Sequence, residues 1–460
     1  MRKVVLMVIL AACGDDGARH TPDATPHDSQ VTDSPDSAVD AGALPVTITT
    51  TRDGAPVMGV HVYFQNADST VVLATTTDAT GTASAVMAAG GYVTAVDPYT
   101  LPAFGGVNDT LDTFAGVKPG DHLQLALVQS STAIQVTVQA PVDAAANSAT
   151  VYTPCGSIPL TAPAQAGLPE TGTVTLFDCG AMTDFLVVSY DSNGAALNSF
   201  FVPNVAIANG QTIDLTAGTY AGVTTRTYTF VNPPMYSIQI EDRLIDTQGE
   251  IWRGSTFESG SGGSLPVPAF AGAGDVVVNS FQGSGRDTQF LVDWGAYSSS
   301  FTTDVGSRTL REIQTTPTFD TATHSVSVTE DSTGVVPDFT VVEAFANRQS
   351  PTFRSWVWWI AAPHATTVTY PTLPTDVYDF NIANGDNDQV SQFFVGKVPG
   401  GYDAVRPYLL TGNFDPGQFV VGPTGSATIE AYSNPALARG VTMANHAFVP
   451  AAPALRHRMR

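Results

Sequence analysis

The chain has 460 residues, of which 41 are glycine and 31 proline, and a formal net charge of −23. Glycine and proline at this density leave few windows for a long helix, and the acidic balance excludes the clustered positive footprint that nucleic-acid binding requires. The length exceeds one ordinary core and predicts about three or four domains.

The amino terminus reads as an export signal. Arg2 and Lys3 precede an unbroken apolar run at residues 4–10, followed by small residues before Cys13. The run is roughly half the length that spans a bilayer, so it is not a transmembrane anchor. Leu10-Ala11-Ala12-Cys13 resembles the bacterial lipobox at every position. The resemblance implies removal of residues 1–12 and acylation of Cys13, which anchors an exported protein to the cell envelope, at the outer membrane or the cell surface. Two or more acyl chains make such an anchor stable. The alternative is an ordinary secretory signal in which Cys13 is incidental. Residues 13–44 are rich in aspartate, carry Pro22, Pro26 and Pro35, and have almost no large apolar side chains. Such a segment cannot bury enough surface to offset its ordering entropy, which predicts a disordered acidic tether. His20 and His27 within it read as solvated side chains.

Strand patterning begins at Val46. Val46, Ile48 and Thr50 alternate with polar residues, as do Val60, Val62 and Phe64 after a turn. Three pieces stand in order: Gly54-x-Pro56-Val57-x-Gly59-Val60-x-Val62, then Thr77-Asp78-x-x-Gly81-x-Ala83, then Gly90-x-Tyr92-x-x-x-Val96. Together they resemble the carboxypeptidase-regulatory-like family, over less than a fifth of the chain. The resemblance implies a transthyretin-like β-sandwich of about seven strands at residues 45–130 in an exported protein, with no catalytic residues of its own. Related sandwiches bind carbohydrate, which makes glycan binding a natural extension.

Gly120-Asp121-His122-Leu123-Gln124-Leu125 closes this module, and Gly210-Gln211-Thr212-Ile213-Asp214-Leu215 has the same form ninety residues later. Each glycine is followed by apolar residues at +3 and +5, and each segment by a fresh alternating strand. This weak repeat predicts a second sandwich at 131–221. Cys155 and Cys179 are the two cysteines left after Cys13, and outside the cytosol such a pair reads as a disulfide. Short apolar runs between glycine-rich loops continue to the end, predicting a third β domain at 222–318 and a fourth at 319–460, with a basic tail at 456–460. The fold class is therefore all-β: tandem Ig-like or transthyretin-like sandwiches behind a disordered tether.

No stretch names a reaction. There is no G-x-S-x-G elbow, H-E-x-x-H pair or P-loop, and the eight histidines are scattered. A glycosidase needs only two suitably spaced carboxylates, which Glu241, Asp242, Glu250 and Glu258 offer alongside the commoner role of solvated strand charges. Asn384, Asp386 and Asp388 set oxygen ligands at alternating positions, as calcium loops do, but Val395 stands where the closing glutamate would fall. An acidic turn between strands is the plainer reading. On a strand, Trp356 and Trp358 share one face and Val357 and Trp359 the other. Exposed, the first pair would form a platform for sugar rings; otherwise it fills a core. These features predict a non-enzymatic envelope protein that is structural or binds a polysaccharide or another envelope protein, without a cofactor. A polysaccharide hydrolase with carboxylates in the C-terminal domains is the rival from another class, and a purely architectural spacer is the third reading.

Overall fold

Alternation of buried and half-exposed residues builds the sheets. The computed structural model describes residues 44–433 apart from 53, 102–105, 128–132, 164, 178, 234–236, 283–286, 351–352 and 411–422. The residues read as signal peptide, Cys13, the reading of a tether as far as residue 43, and the basic tail lie outside the described residues.

The first stretch contains β1 (Val46–Arg52), β2 (Ala55–Pro56), β3 (His61–Gln65), β4 (Val71–Thr76), β5 (Thr82–Ala85), β6 (Gly91–Leu101), β7 (Gly106–Val117) and β8 (His122–Ala126). The second contains β9 (Ala133–Ala140), β10 (Ser148–Thr153), β11 (Gly156–Pro159), β12 (Glu170–Phe177), β13 (Met182–Tyr190), β14 (Ala196–Ala206), β15 (Gln211–Asp214) and β16 (Ala221–Gly222). The third contains β17 (Thr224–Val231), β18 (Ile238–Ile245), β19 (Glu250–Glu258), β20 (Gly262–Val267), β21 (Gly274–Gln282), β22 (Asp287–Ala296) and β23 (Ser300–Asp304). In the fourth come β24 (Thr318–Asp320), β25 (Ser325–Ser327), β26 (Phe339–Arg348), β27 (Arg354–Pro363), β28 (Thr367–Thr369), β29 (Asn387–Lys397), the helix α1 (Gly401–Val405) and β30 (Gly425–Ser433).

One topology recurs. In the first three stretches the opening strand pairs antiparallel with the strand in mid-stretch and parallel with the last: β1 with β5 and β8, β9 with β12 and β15, β17 with β20 and β23. Four further strands form the facing sheet in the orders β4-β3-β6-β7, β11-β10-β13-β14 and β19-β18-β21-β22, while short β2 pairs with β1 and short β16 with β14. The fourth stretch repeats the four-stranded order as β27-β26-β29-β30, but its smaller sheet, β24-β25-β28, is antiparallel throughout. Gly120 and Gly210, which lead into the last strands β8 and β15, both sit at positive φ (86° and 77°). There a residue without a Cβ meets no steric penalty.

Three of these sandwiches are not separate bodies. Their four-stranded sheets join edge to edge into one twelve-stranded sheet, β19-β18-β21-β22-β30-β29-β26-β27-β7-β6-β3-β4. At the first weld β22 and β30, equivalent strands of the third and fourth sandwiches, run antiparallel. At the second, β27 runs parallel to β7 of the first sandwich. An arginine crosses each weld. Arg308 donates to Asp293 and to the carbonyls of Val292 and Ala427, and Arg354 pairs with buried Asp109. The Tyr402 hydroxyl on α1 lies 2.8 Å from the Ala115 carbonyl of β7 and 2.9 Å from the Ala361 carbonyl of β27. One apolar core runs beneath the welds, from Val46 and Phe64 through Phe339 and Phe394 to Val292 and Trp294.

The second sandwich keeps its own core around Val138, Leu176 and Phe185. Among the described residues it meets the third through side-chain packing, with no strand pairing between them, as Leu186 and Val188 of β13 lie against Leu244, Ile251 and Trp252. The Cys155–Cys179 disulfide is present, with Cα atoms 5.6 Å apart. Cys155 lies in the β10–β11 turn and Cys179 just after β12, so the bond staples the two sheets of this sandwich together.

Candidate functional site

The tryptophan stretch lies on β27, inside the twelve-stranded sheet, with the face of Trp356 and Trp358 covered. Trp356 and Trp358 are 0% and 1% exposed, which corrects their placement as a ligand platform. The β24-β25-β28 sheet and the residues after it close over them. Trp358 packs edge-on to Tyr370 at 5.0 Å and donates to the Thr113 hydroxyl across the weld. Trp356 lies edge-on to Tyr378 and Phe380, with Arg348 over its ring. An indole so enclosed fills space and offers no face to a sugar.

The acidic turn also carries a different role. Both Asp386 carboxylate oxygens accept from the Arg348 guanidinium, at 2.8 and 2.7 Å. Although burial pushes its pKa up, those bonds and the Ala383 amide hold Asp386 below the ordinary carboxylate value. Asn384 accepts from the Thr321 hydroxyl, and Asp388, the second residue of β29, pairs with Ala346. A fixed guanidinium thus occupies the place proposed for calcium, and among the described residues no cluster of three or more His, Cys, Asp or Glu could hold a metal.

The four carboxylates of the hydrolase reading part company for the same electrostatic reason. Glu241 and Glu250 pair with Arg243 and Arg253 on the β18–β19 hairpin. Glu258 accepts from Thr256. Asp242 points the other way, fully buried with Arg226, Asp275 and the Tyr228 hydroxyl. Burial drives the Asp242 pKa up against the pull of Arg226, and Asp275 is pushed up to about 6, chiefly by burial. This cluster is sealed from substrate.

Two arrangements escaped sequence reading. The first is a hydroxyl–imidazole–carboxylate chain: Thr340 Oγ1 is 3.3 Å from His364 Nδ1, and His364 Nε2 is 3.3 Å from Glu330. Its order resembles a nucleophile relay. Thr340 is fully buried, however, and its hydroxyl closes a turn with both backbone groups of Ala365, so no substrate reaches it.

The second centres on Trp359. Four of the five tryptophans are buried at 5% exposure or less, whereas Trp359 is half-buried. Its cross-strand neighbours are Asp112 on β7 and Glu343 on β26. Strands lie about 4.8 Å apart and directly paired residues share a face, so two carboxyl groups flank the indole. Asp112 is pushed up to about 8, first by burial and then by the Asp97 carboxylate; Asp97 itself is gripped by Arg52 at 2.9 and 3.0 Å. Burial also raises Glu343, which accepts from Ser391. Asp112 is itself buried, so of these two carboxyl groups only the half-buried Glu343 reaches the surface beside the indole. Sequence reading paired Val357 with Trp359 correctly by period but had no signal that β7 would bring Asp112 alongside.

A groove of about 310 Å³ at the junction of the third and fourth sandwiches is lined by Phe281, Gln289, Leu310, Glu312, Asp331 and Thr333. Gln289 and Glu430 bond the backbone of Leu310 and Ile313 there, which holds the connecting segment against the sheet.

No protein-family model matches the chain, and no curated protein matches it. Among solved structures it is similar to the Bacillus anthracis TIE protein, at 16% identity over 52% of this chain and 45% of that one, with a TM-score of 0.14. It is also similar to a candidate adhesin from Bacteroides ovatus, at 9% identity over 38% of this chain and 90% of that one, with a TM-score of 0.15. The chain spans less than half the length of the first of these. Superpositions of this quality define neither fold nor activity.

Proposed function

We propose that this chain is a non-enzymatic structural protein of the cell envelope, anchored through a lipid on Cys13. The observation that carries the reading is the twelve-stranded sheet that welds three sandwiches into one body. Modules that merely space a ligand site need only linkers between them. Backbone pairing across two boundaries, each crossed by an arginine, instead resists shear along the chain. Pairing of Glu241 and Glu250 with arginines, and the sealing of Asp242 and Thr340, support the absence of catalysis.

A second reading, glycan binding, rests on the half-buried Trp359 with the half-buried Glu343 beside it. The full chain carrying Cys13→Ser, incubated with envelope and plant polysaccharides, separates the readings when retention and released reducing ends are both scored. The structural reading expects neither. Retention lost on Trp359→Ala but kept in a Trp252→Phe control would move the function to glycan binding. Release of sugar would overturn both and return the search to the carboxylates of the C-terminal half.

A further inference from the structure

We propose that Asp184 and Asp246 form a proton-dependent latch between the second and third sandwiches, closed while the two carboxyl groups share a proton and opened by its loss. Asp184, on β13, is 4% exposed, and one of its oxygens accepts from the Asn204 amide at 2.6 Å. Asp246 opens the β18–β19 turn, where its Oδ1 accepts from the amides of Gln248 and Gly249 at 2.6 and 3.0 Å. Its Oδ2 is buried and accepts from no donor among the described residues. The side chain within hydrogen-bond reach of this carboxyl is that of Asp184, and no arginine or lysine pairs with either group among the described residues. Two carboxyl groups so placed do not both ionise: one keeps its proton and donates it to the other.

The pair sits at the one junction of neighbouring sandwiches described here that lacks strand pairing. Leu186 and Val188 stand two and four residues beyond Asp184, and Leu244 two before Asp246, in the apolar contact between the sandwiches. Only Val223 separates β16 from β17, so a second sandwich released from that contact pivots at a single residue. The other titratable groups of the contact have partners of their own. Tyr152 and Tyr190 bond each other at 2.6 Å, and burial raises both. Glu250, at the start of β19, pairs with Arg243 and Arg253. Burial, first, and the Asp184 carboxyl push Asp246 up to about 7, against the pull of the Gln248 amide. Undocked, the group returns to its ordinary value near pH 4. Docking is therefore strengthened in full below about pH 4, and the gain is lost as pH rises through about 7.

Spin labels on Leu168→Cys and Phe257→Cys, exposed positions of the second and third sandwiches, report docking as a distance distribution in the full chain carrying Cys13→Ser. The expected result is one narrow distribution at pH 5 and a second, broad population at pH 8.5, the ratio of docked to released falling about tenfold or more. Asp184→Asn and Asp246→Asn each leave one carboxylate facing an amide donor and keep the narrow distribution at both pH values. Asp214→Asn, on the other sheet of the second sandwich, leaves the response unchanged. Far-ultraviolet circular dichroism at both pH values separates release from unfolding, since release keeps the strand signal. The same distribution at both pH values, broadening that survives both asparagine variants, or broadening accompanied by loss of the strand signal would overturn the proposal.

Discussion

Asp112 shows how one side chain takes its chemistry from its neighbours. Its backbone position is an ordinary strand residue, yet burial beside Asp97 holds its carboxyl neutral up to about pH 8. An acid whose folded pKa lies above its unfolded value binds more protons folded than unfolded. Its contribution to stability is therefore full below the unfolded value near pH 4 and is lost as pH rises through about 8. Asp112→Asn should flatten the decline of melting temperature between pH 4 and pH 8, and should melt higher than the parent above pH 8. An unchanged slope would remove Asp112 from the account. Arg226 makes the complementary point: a buried cation on an alternating strand, matched by Asp242 and Asp275 rather than by water. Isolating such a charge by removing a partner typically costs about 3–5 kcal/mol.

At the scale of elements, the disulfide and the strand edges act differently. The Cys155–Cys179 bond closes a loop with a sequence separation of 24 and spans the two sheets of the second sandwich. In the chain-entropy model a loop of that size contributes roughly 3 kcal/mol. The double variant Cys155→Ala/Cys179→Ala should lower hydrogen-exchange protection in β9–β15 by about that amount. Protection in β26 and β29 should stay the same, because no strand of the second sandwich pairs with theirs. Loss of protection spread evenly through the chain would contradict this division. The alternation that marks β1, β9 and β17 was legible because each has one face in a core and one toward solvent. By contrast β13 and β26 are buried on both faces over most of their length, so burial does not alternate and leaves no two-residue period to read.

The whole molecule should unfold in two parts. The first, third and fourth sandwiches share backbone hydrogen bonds and a continuous core, so none of them loses its sheet without disturbing another's. The second is joined to the third by side-chain packing. Calorimetry of the full chain should resolve one large transition for the welded sandwiches and a smaller one for the second. Cys155→Ala/Cys179→Ala should move only the smaller. Four transitions of similar enthalpy would argue that the welds contribute little.

By itself the sequence determined what depends on neighbours along the chain. Turn residues, two-residue alternation and cysteine number were enough for an all-β chain with a Cys155–Cys179 bond, because strand period and turn chemistry are local properties. Tertiary structure alone decided that Trp356 and Trp358 are core, that Arg348 occupies the acidic turn at Asp386, and that Trp359 stands between Asp112 and Glu343. The last depends on β27 lying beside β7, whose paired residues are some 250 positions apart in sequence, and the Arg348 contact on β26 lying beside β29. Edge pairing uses backbone groups that every residue carries, so no side-chain pattern announces which edges will meet.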